Sequence, residues 1–200
     1  MYNTLMKKAL FMDRDGVINE LVYNSEFGTV DSPLNPKQVT LIFGITELLK
    51  SAQARGFICV IVSNQPAIGL GKTTLVNHQK IVNKIKREFK KRGIKIEGQF
   101  YCFHHPFAKL TKYKKVCDCR KPAIGLFEMA VKELNIDLSK SWIIGDGVDD
   151  IIAGKKAGCK TILLANINSS ENFRIIERQL GKIKPDFIVK KLTDGIAIIN

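Results

Sequence analysis

Asp13 and Asp15 stand one residue apart, directly after the apolar run Ala9–Met12 and directly before Gly16. Residues two apart in extended backbone point the same way, so the two carboxylates can share one small site at a strand tip. A solvated acidic turn closing the strand is the other reading these residues allow. Two further apolar runs also end in polar residues. Phe57–Val62 runs into Ser63-Asn64-Gln65, and Ser141–Gly145 into Asp146, Asp149 and Asp150. Carboxylates gathered at one edge repel unless a cation sits between them, and all-oxygen ligation favours Mg²⁺. With the Ser63 hydroxyl and Lys121, such a group would suit phosphoryl transfer.

These residues meet only if the runs are neighbouring strands of one sheet. Ala9–Met12, Phe57–Val62, Gln99–Phe103, Ser141–Gly145, Lys160–Ala165 and Asp186–Val189 read as strands. Between them lie helical spacings over Gly44–Ala54, from a Thr73 or Thr74 cap to about Arg92, from Pro122 to Leu134, over Ile151–Ala157 and over Glu171–Leu180. The alternation implies an α/β fold with a doubly wound parallel sheet, whose ligands bind at the carboxyl edge. Asn19–Thr40 has no clean period and reads as a long functional loop or small flap.

The chain of 200 residues, 45% hydrophobic, is read as one domain with a substantial core. No apolar run approaches membrane-spanning length and Met1–Lys8 lacks a signal-peptide core, so no membrane partner and a cytoplasmic location are expected. A net charge of +13 raises nucleic acid as a partner. Its densest run, Lys84 to Lys95, is interleaved with Ile81, Val82, Ile85 and Phe89, which makes it the solvated face of an amphipathic helix. His78 is expected on that helix's surface. Five cysteines, two of them in Cys117-Asp118-Cys119 with histidines nearby, suggest a metal site rather than disulfides. Cys59 and Cys159 read as packing residues.

Asp13-Arg14-Asp15-Gly16-Val17, Ser63-Asn64-Gln65, Lys121 and Gly145-Asp146 with Asp150 resemble the four ordered motifs of the haloacid dehalogenase superfamily. The resemblance spans nearly the whole chain. Within that superfamily the chain is similar to the D-glycero-D-manno-heptose 1,7-bisphosphate phosphatases and the histidinol-phosphate phosphatases. The likeness lies in Asp13-Arg14-Asp15-Gly16, in Cys102-Phe103-His104-His105-Pro106 and in Cys117-Asp118-Cys119-Arg120-Lys121-Pro122. The fold so implied is a Rossmann-like one with a minimal cap and a zinc-pinned loop.

The resemblance implies roles. Asp13 would be the nucleophile that becomes an aspartyl phosphate, and Asp15 the acid and base. Mg²⁺ would bridge Asp13 and Asp146, joined by Asp15 through its carboxylate or its backbone carbonyl. Ser63 and Lys121 would bind phosphoryl oxygens, and Asp150 would orient Lys121 or a metal-bound water. Cys102, His104, Cys117 and Cys119 would hold a structural Zn²⁺. Arg14, Asn64, Lys72 and Arg120 are the substrate-binding candidates. Ala67 and Leu70 stand where the family usually has Gly and Arg, which removes one potential phosphate ligand. The expected enzyme is a monomeric phosphatase of a small sugar phosphate, most closely a heptose bisphosphate. Histidinol phosphate, a nucleic-acid 3′-phosphate and a non-catalytic binding role are the alternatives.

Overall fold

The computed structural model describes residues 5–165 and 170–199. Its strands are β1 (Ala9–Met12), β2 (Val22–Asn24), β3 (Thr29–Asp31), β4 (Ile58–Asn64), β5 (Gly98–Cys102), β6 (Trp142–Gly145), β7 (Lys160–Leu164) and β8 (Phe187–Val189). Its α-helices are α1 (Ile45–Ala54), α2 (Leu75–Lys91), α3 (Gly125–Leu134), α4 (Val148–Ala157) and α5 (Ser170–Leu180). Six strands form one sheet in the order β5-β4-β1-β6-β7-β8, every pair parallel. The sheet is built outward from β1 to β5 on one side, then from β6 to β8 on the other. The chain reverses at β1, so the ligand crevice of such a sheet opens at the tips of β4, β1 and β6.

β1 is buried on both faces, as a central parallel strand must be. Leu10 and Met12 face one core with Ile45, Leu48 and Leu49 of α1 and Ile81, Ile85 and Phe89 of α2. Ala9 and Phe11 face the other, with Leu126, Phe127 and Ala130 of α3 and Ala153 of α4. Rigid packing on both faces fixes where the strand tips lie.

Within Asn19–Thr40, read as a loop or small flap, β2 and β3 pair as a small antiparallel hairpin, turned at Gly28 with φ 62°. Two local expectations are corrected. Pro122 does not open a helix. It follows a cis Lys121–Pro122 peptide in a turn where Ala123 N–H bonds the Arg120 carbonyl, and α3 begins at Gly125. α4 starts at Val148 rather than Ile151, because the Asp150 carboxylate reaches back to the Gly147 N–H at 3.1 Å and caps it. No helix among the described residues is long and apolar enough to cross a membrane.

Candidate active site

Lys121 is the node of the site. It is buried, and its ammonium donates to Asp13 Oδ1 at 2.7 Å, to Asp150 Oδ1 at 2.5 Å and to the Val62 carbonyl at 2.7 Å. Three acceptors satisfy its three donors, as a buried ammonium requires. Burial pulls the lysine pKa down, but Asp13 and Asp150 outweigh it and hold the group above the ordinary lysine range, so it stays charged.

Asp13, Asp146 and Asp150 each offer a carboxylate oxygen, and these atoms lie within 4.8 Å of one another. Burial raises the Asp13 pKa; Lys121 opposes the rise and Asp150 adds to it. Asp146 is pushed well above the carboxylate range, first by burial and then by repulsion from Asp13 and Asp150. Three carboxylates against one lysine leave an excess of negative charge that a divalent cation would balance, and the all-oxygen donor set fits Mg²⁺. Two glycines make the close approach possible. At Gly16, with φ 82°, an added Cβ would lie 1.9 Å from Asp146 Oδ2, and at Gly145 one would lie 2.2 Å from the Asp150 Cβ.

Asp15 does not join this group through its side chain. β1 ends at Met12 and the chain turns at Gly16, so the two-residue alternation expected to align Asp13 with Asp15 does not extend past Met12. Both Asp15 oxygens are gripped from elsewhere. Oδ1 accepts from Arg14 Nε (3.0 Å) and Asn19 Nδ2 (2.9 Å), and Oδ2 from Arg14 Nη2 (2.9 Å) and Gln65 Nε2 (2.6 Å). Gln65 Nε2 also donates to Ser63 Oγ at 3.0 Å, and the Ser63 hydroxyl bonds Asp13. One side-chain network therefore joins Asp15 to Asp13.

The expected substrate-binding residues separate. Arg14 is completely buried and committed to Asp15, so the expectation that it meets substrate is corrected. Asn64 is committed as well: its amide donates to the Lys121 carbonyl and accepts from the Lys121 N–H, both at 3.0 Å. Lys72 pairs with Asp31 of β3 at 2.8 Å, and Thr73 Oγ1 donates to the Leu34 carbonyl, so the loop after β4 holds the hairpin segment. Arg120 remains partly exposed on the cysteine-bearing loop, its Nη1 3.4 Å from the His104 carbonyl. His78, expected on the surface, is buried with Nδ1 3.4 Å from Arg14 Nη1. Its place was readable, since positions 78, 81, 82, 85 and 89 form one helical stripe. Gln65 and Asn19 carried no comparable signal.

Cys102 at the end of β5, His104, Cys117 and Cys119 converge about 15 residues of loop onto one point. Cys102 Sγ lies 3.2 Å from Cys119 Sγ and 3.6 Å from Cys117 Sγ, Cys117 and Cys119 are 3.3 Å apart, and His104 Nδ1 is 3.3 Å from Cys119 Sγ. No disulfide forms, all five cysteines being free. The spacings are near the roughly 3.8 Å between thiolates that surround Zn²⁺ at about 2.3 Å, so the donor set fits that ion. His105 lies outside the cluster, its Nδ1 accepting from the Phe107 N–H at 3.1 Å. Cys59 and Cys159 are buried in the cores, with burial pushing both thiols up to about 12.

Comparison with known proteins agrees with this geometry. Residues 118–195 match the family model described as HAD-hydrolase-like. The D-glycero-β-D-manno-heptose-1,7-bisphosphate 7-phosphatase of Haemophilus ducreyi is 31% identical over 195 residues, which cover 97% of this chain and 99% of that one. The Pasteurella multocida protein of the same name is 33% identical, covering 94% of this chain and 95% of its own. Among solved structures, the D,D-heptose 1,7-bisphosphate phosphatase of B. bronchiseptica, complexed with magnesium and phosphate, superposes with a TM-score of 0.77 at 22% identity. It covers 96% of this chain and 97% of that one. With relatives above 30% identity along almost their entire length, the chain belongs to the heptose bisphosphate phosphatase family of the HAD-like hydrolases.

Proposed function

We propose that this chain is a Mg²⁺-dependent phosphomonoesterase that works through an aspartyl phosphate on Asp13. Its substrate on this reading is D-glycero-D-manno-heptose 1,7-bisphosphate, from which it removes the 7-phosphate in making surface polysaccharide precursors. The observation that carries the reading is the Lys121 ammonium seated between Asp13 and Asp150, beside Asp146, at the switch point of the sheet. The names of the Haemophilus and Pasteurella relatives support the substrate.

Asp13, Asp146 and Asp150 would hold Mg²⁺, and the ion bound there would neutralise charge on the transferring phosphoryl group. Lys121 and Ser63 hydrogen-bond the Asp13 carboxylate and orient it for attack on phosphorus. As the bond from an Asp13 carboxylate oxygen to phosphorus forms and the P–O bond to the sugar breaks, Asp15 gives a proton to the leaving oxygen. Water then attacks phosphorus, Asp15 takes its proton, and the Asp13–P bond breaks to release inorganic phosphate. Ser63 and Lys121 stabilise the phosphoryl oxygens through both steps. Cys102, His104, Cys117 and Cys119 would hold Zn²⁺ as a staple that sets the loop leading into Lys121. Their reduced thiols suit a cytoplasmic setting.

A phosphate-release panel tests the substrate: both heptose bisphosphate anomers, histidinol phosphate and a 3′-phosphorylated oligonucleotide, each with Mg²⁺. A heptose bisphosphate should show the highest kcat/KM. Preference for either other substrate would replace this reading, and no release from any would end it.

A further inference from the structure

A buried guanidinium needs its donors met. Arg14 directs Nε and Nη2 at the two oxygens of Asp15 and Nη1 at His78 Nδ1, 3.4 Å away. His78 comes from α2, whose apolar stripe shares one core with Leu10 and Met12 of β1. Its ring packs edge-on against Tyr101 (centroids 4.7 Å apart, 87° between planes) and Phe103 (5.1 Å, 85°), which fixes the direction Nδ1 faces. An imidazole accepts at Nδ1 only when neutral with its proton on Nε2. Burial, and then the charge of Arg14, keep the ring in that state by pushing its pKa down to about 4.

We infer that His78 is a positioning residue for Asp15, acting through Arg14 to set the carboxylate for proton transfer at the phosphoryl-transfer site. The inference rests on Asp15 being the acid and base of the proposed reaction. Nη1 anchored on His78 turns the Nε and Nη2 edge of the guanidinium toward Asp15. Without that anchor Nη1 loses its acceptor, and the fork that holds both Asp15 oxygens is free to tilt. Proton transfer demands hydrogen-bond reach, so a small displacement of the carboxylate slows it. A phosphate ester with a poor leaving group needs the proton; an activated aryl ester does not.

The test compares the phosphorylation step on a sugar phosphate with the nitrophenol burst from p-nitrophenyl phosphate. In His78→Leu the sugar phosphate should react about tenfold more slowly or worse, with the burst rate within about twofold of the native protein. His78→Asn, which returns an amide oxygen near the Nδ1 position, should recover most of the loss. Asp15→Asn separates the two claims. If it lacks the same selectivity, the acid and base reading fails. If it shows selectivity while His78→Leu slows both substrates alike or neither, the positioning role is overturned. Should His78→Leu not fold, imidazole ¹⁵N shifts of the native protein at pH 7.5 decide: an Nε2–H tautomer supports the role, and an Nδ1–H tautomer or an imidazolium contradicts it.

Discussion

Asn64 and Lys121 are joined by two reciprocal hydrogen bonds of 3.0 Å, the amide of one reading both the N–H and the carbonyl of the other. A strand-end residue thereby sets the backbone of a loop residue 57 positions away, and with it the ammonium that faces Asp13 and Asp150. Asn64→Ala should cost about 1–3 kcal/mol, since it leaves two backbone groups without partners. It should lower kcat more than it raises KM. Urea unfolding and phosphate release check the two parts, and unchanged kcat would mean that the loop is held by other means.

Gly16→Ala tests how closely the loop after β1 approaches Asp146. The new Cβ would overlap the carboxylate, at a backbone φ of 82° that non-glycine residues rarely adopt. The expected outcome is a folded protein with Mg²⁺ affinity and activity both lost, read by isothermal titration and circular dichroism. Native Mg²⁺ affinity in the variant would show that Asp146 stands clear of the loop.

Stability should fall with acid in a way traceable to His78. Its folded pKa is pushed down to about 4 by burial and by Arg14, whereas the unfolded chain titrates near 6.5. Between these values the unfolded state binds more protons, so the contribution is complete above about pH 6.5 and is lost as pH drops toward 4, by at most about 3 kcal/mol. The measurement is the difference between native and His78→Asn unfolding free energies from pH 7.5 to 4.5. A difference independent of pH would contradict a buried neutral imidazole.

Zinc should be found at one equivalent per chain. Cys119→Ser should lower the melting temperature and reduce kcat, because the loop from Cys117 to Cys119 leads directly into Lys121. Metal-free protein with native melting and native kcat would remove the staple from the account.

The chemistry was legible in the sequence because it sits at strand ends. Asp13, Ser63 and Asp146 each follow an apolar run, and a parallel sheet brings such ends together whatever lies between them. The four cysteine and histidine positions were legible from their spacing within a known family pattern. What misled was local geometry beyond those ends. Alternation holds only inside a strand, and β1 stops one residue before Asp13, so the Asp15 side chain turns to Arg14, Asn19 and Gln65 instead of lining up with the Asp13 carboxylate. Charged and amide side chains gave no sign of their partners: Arg14, Asn64 and Lys72 read as ligands for a substrate, yet each is engaged by Asp15, Lys121 or Asp31. Such long-range pairing is set by tertiary contact, which no local period records.

Borohydride trapping at Asp13 is the most direct test of the central claim. Protein quenched during turnover of a sugar phosphate with Mg²⁺ is reduced and digested, and the peptide carrying position 13 is read by mass spectrometry. An aspartyl phosphate there would be converted to homoserine, and the account predicts homoserine at position 13 only when substrate is present. An unmodified Asp13 during sustained phosphate release would contradict it.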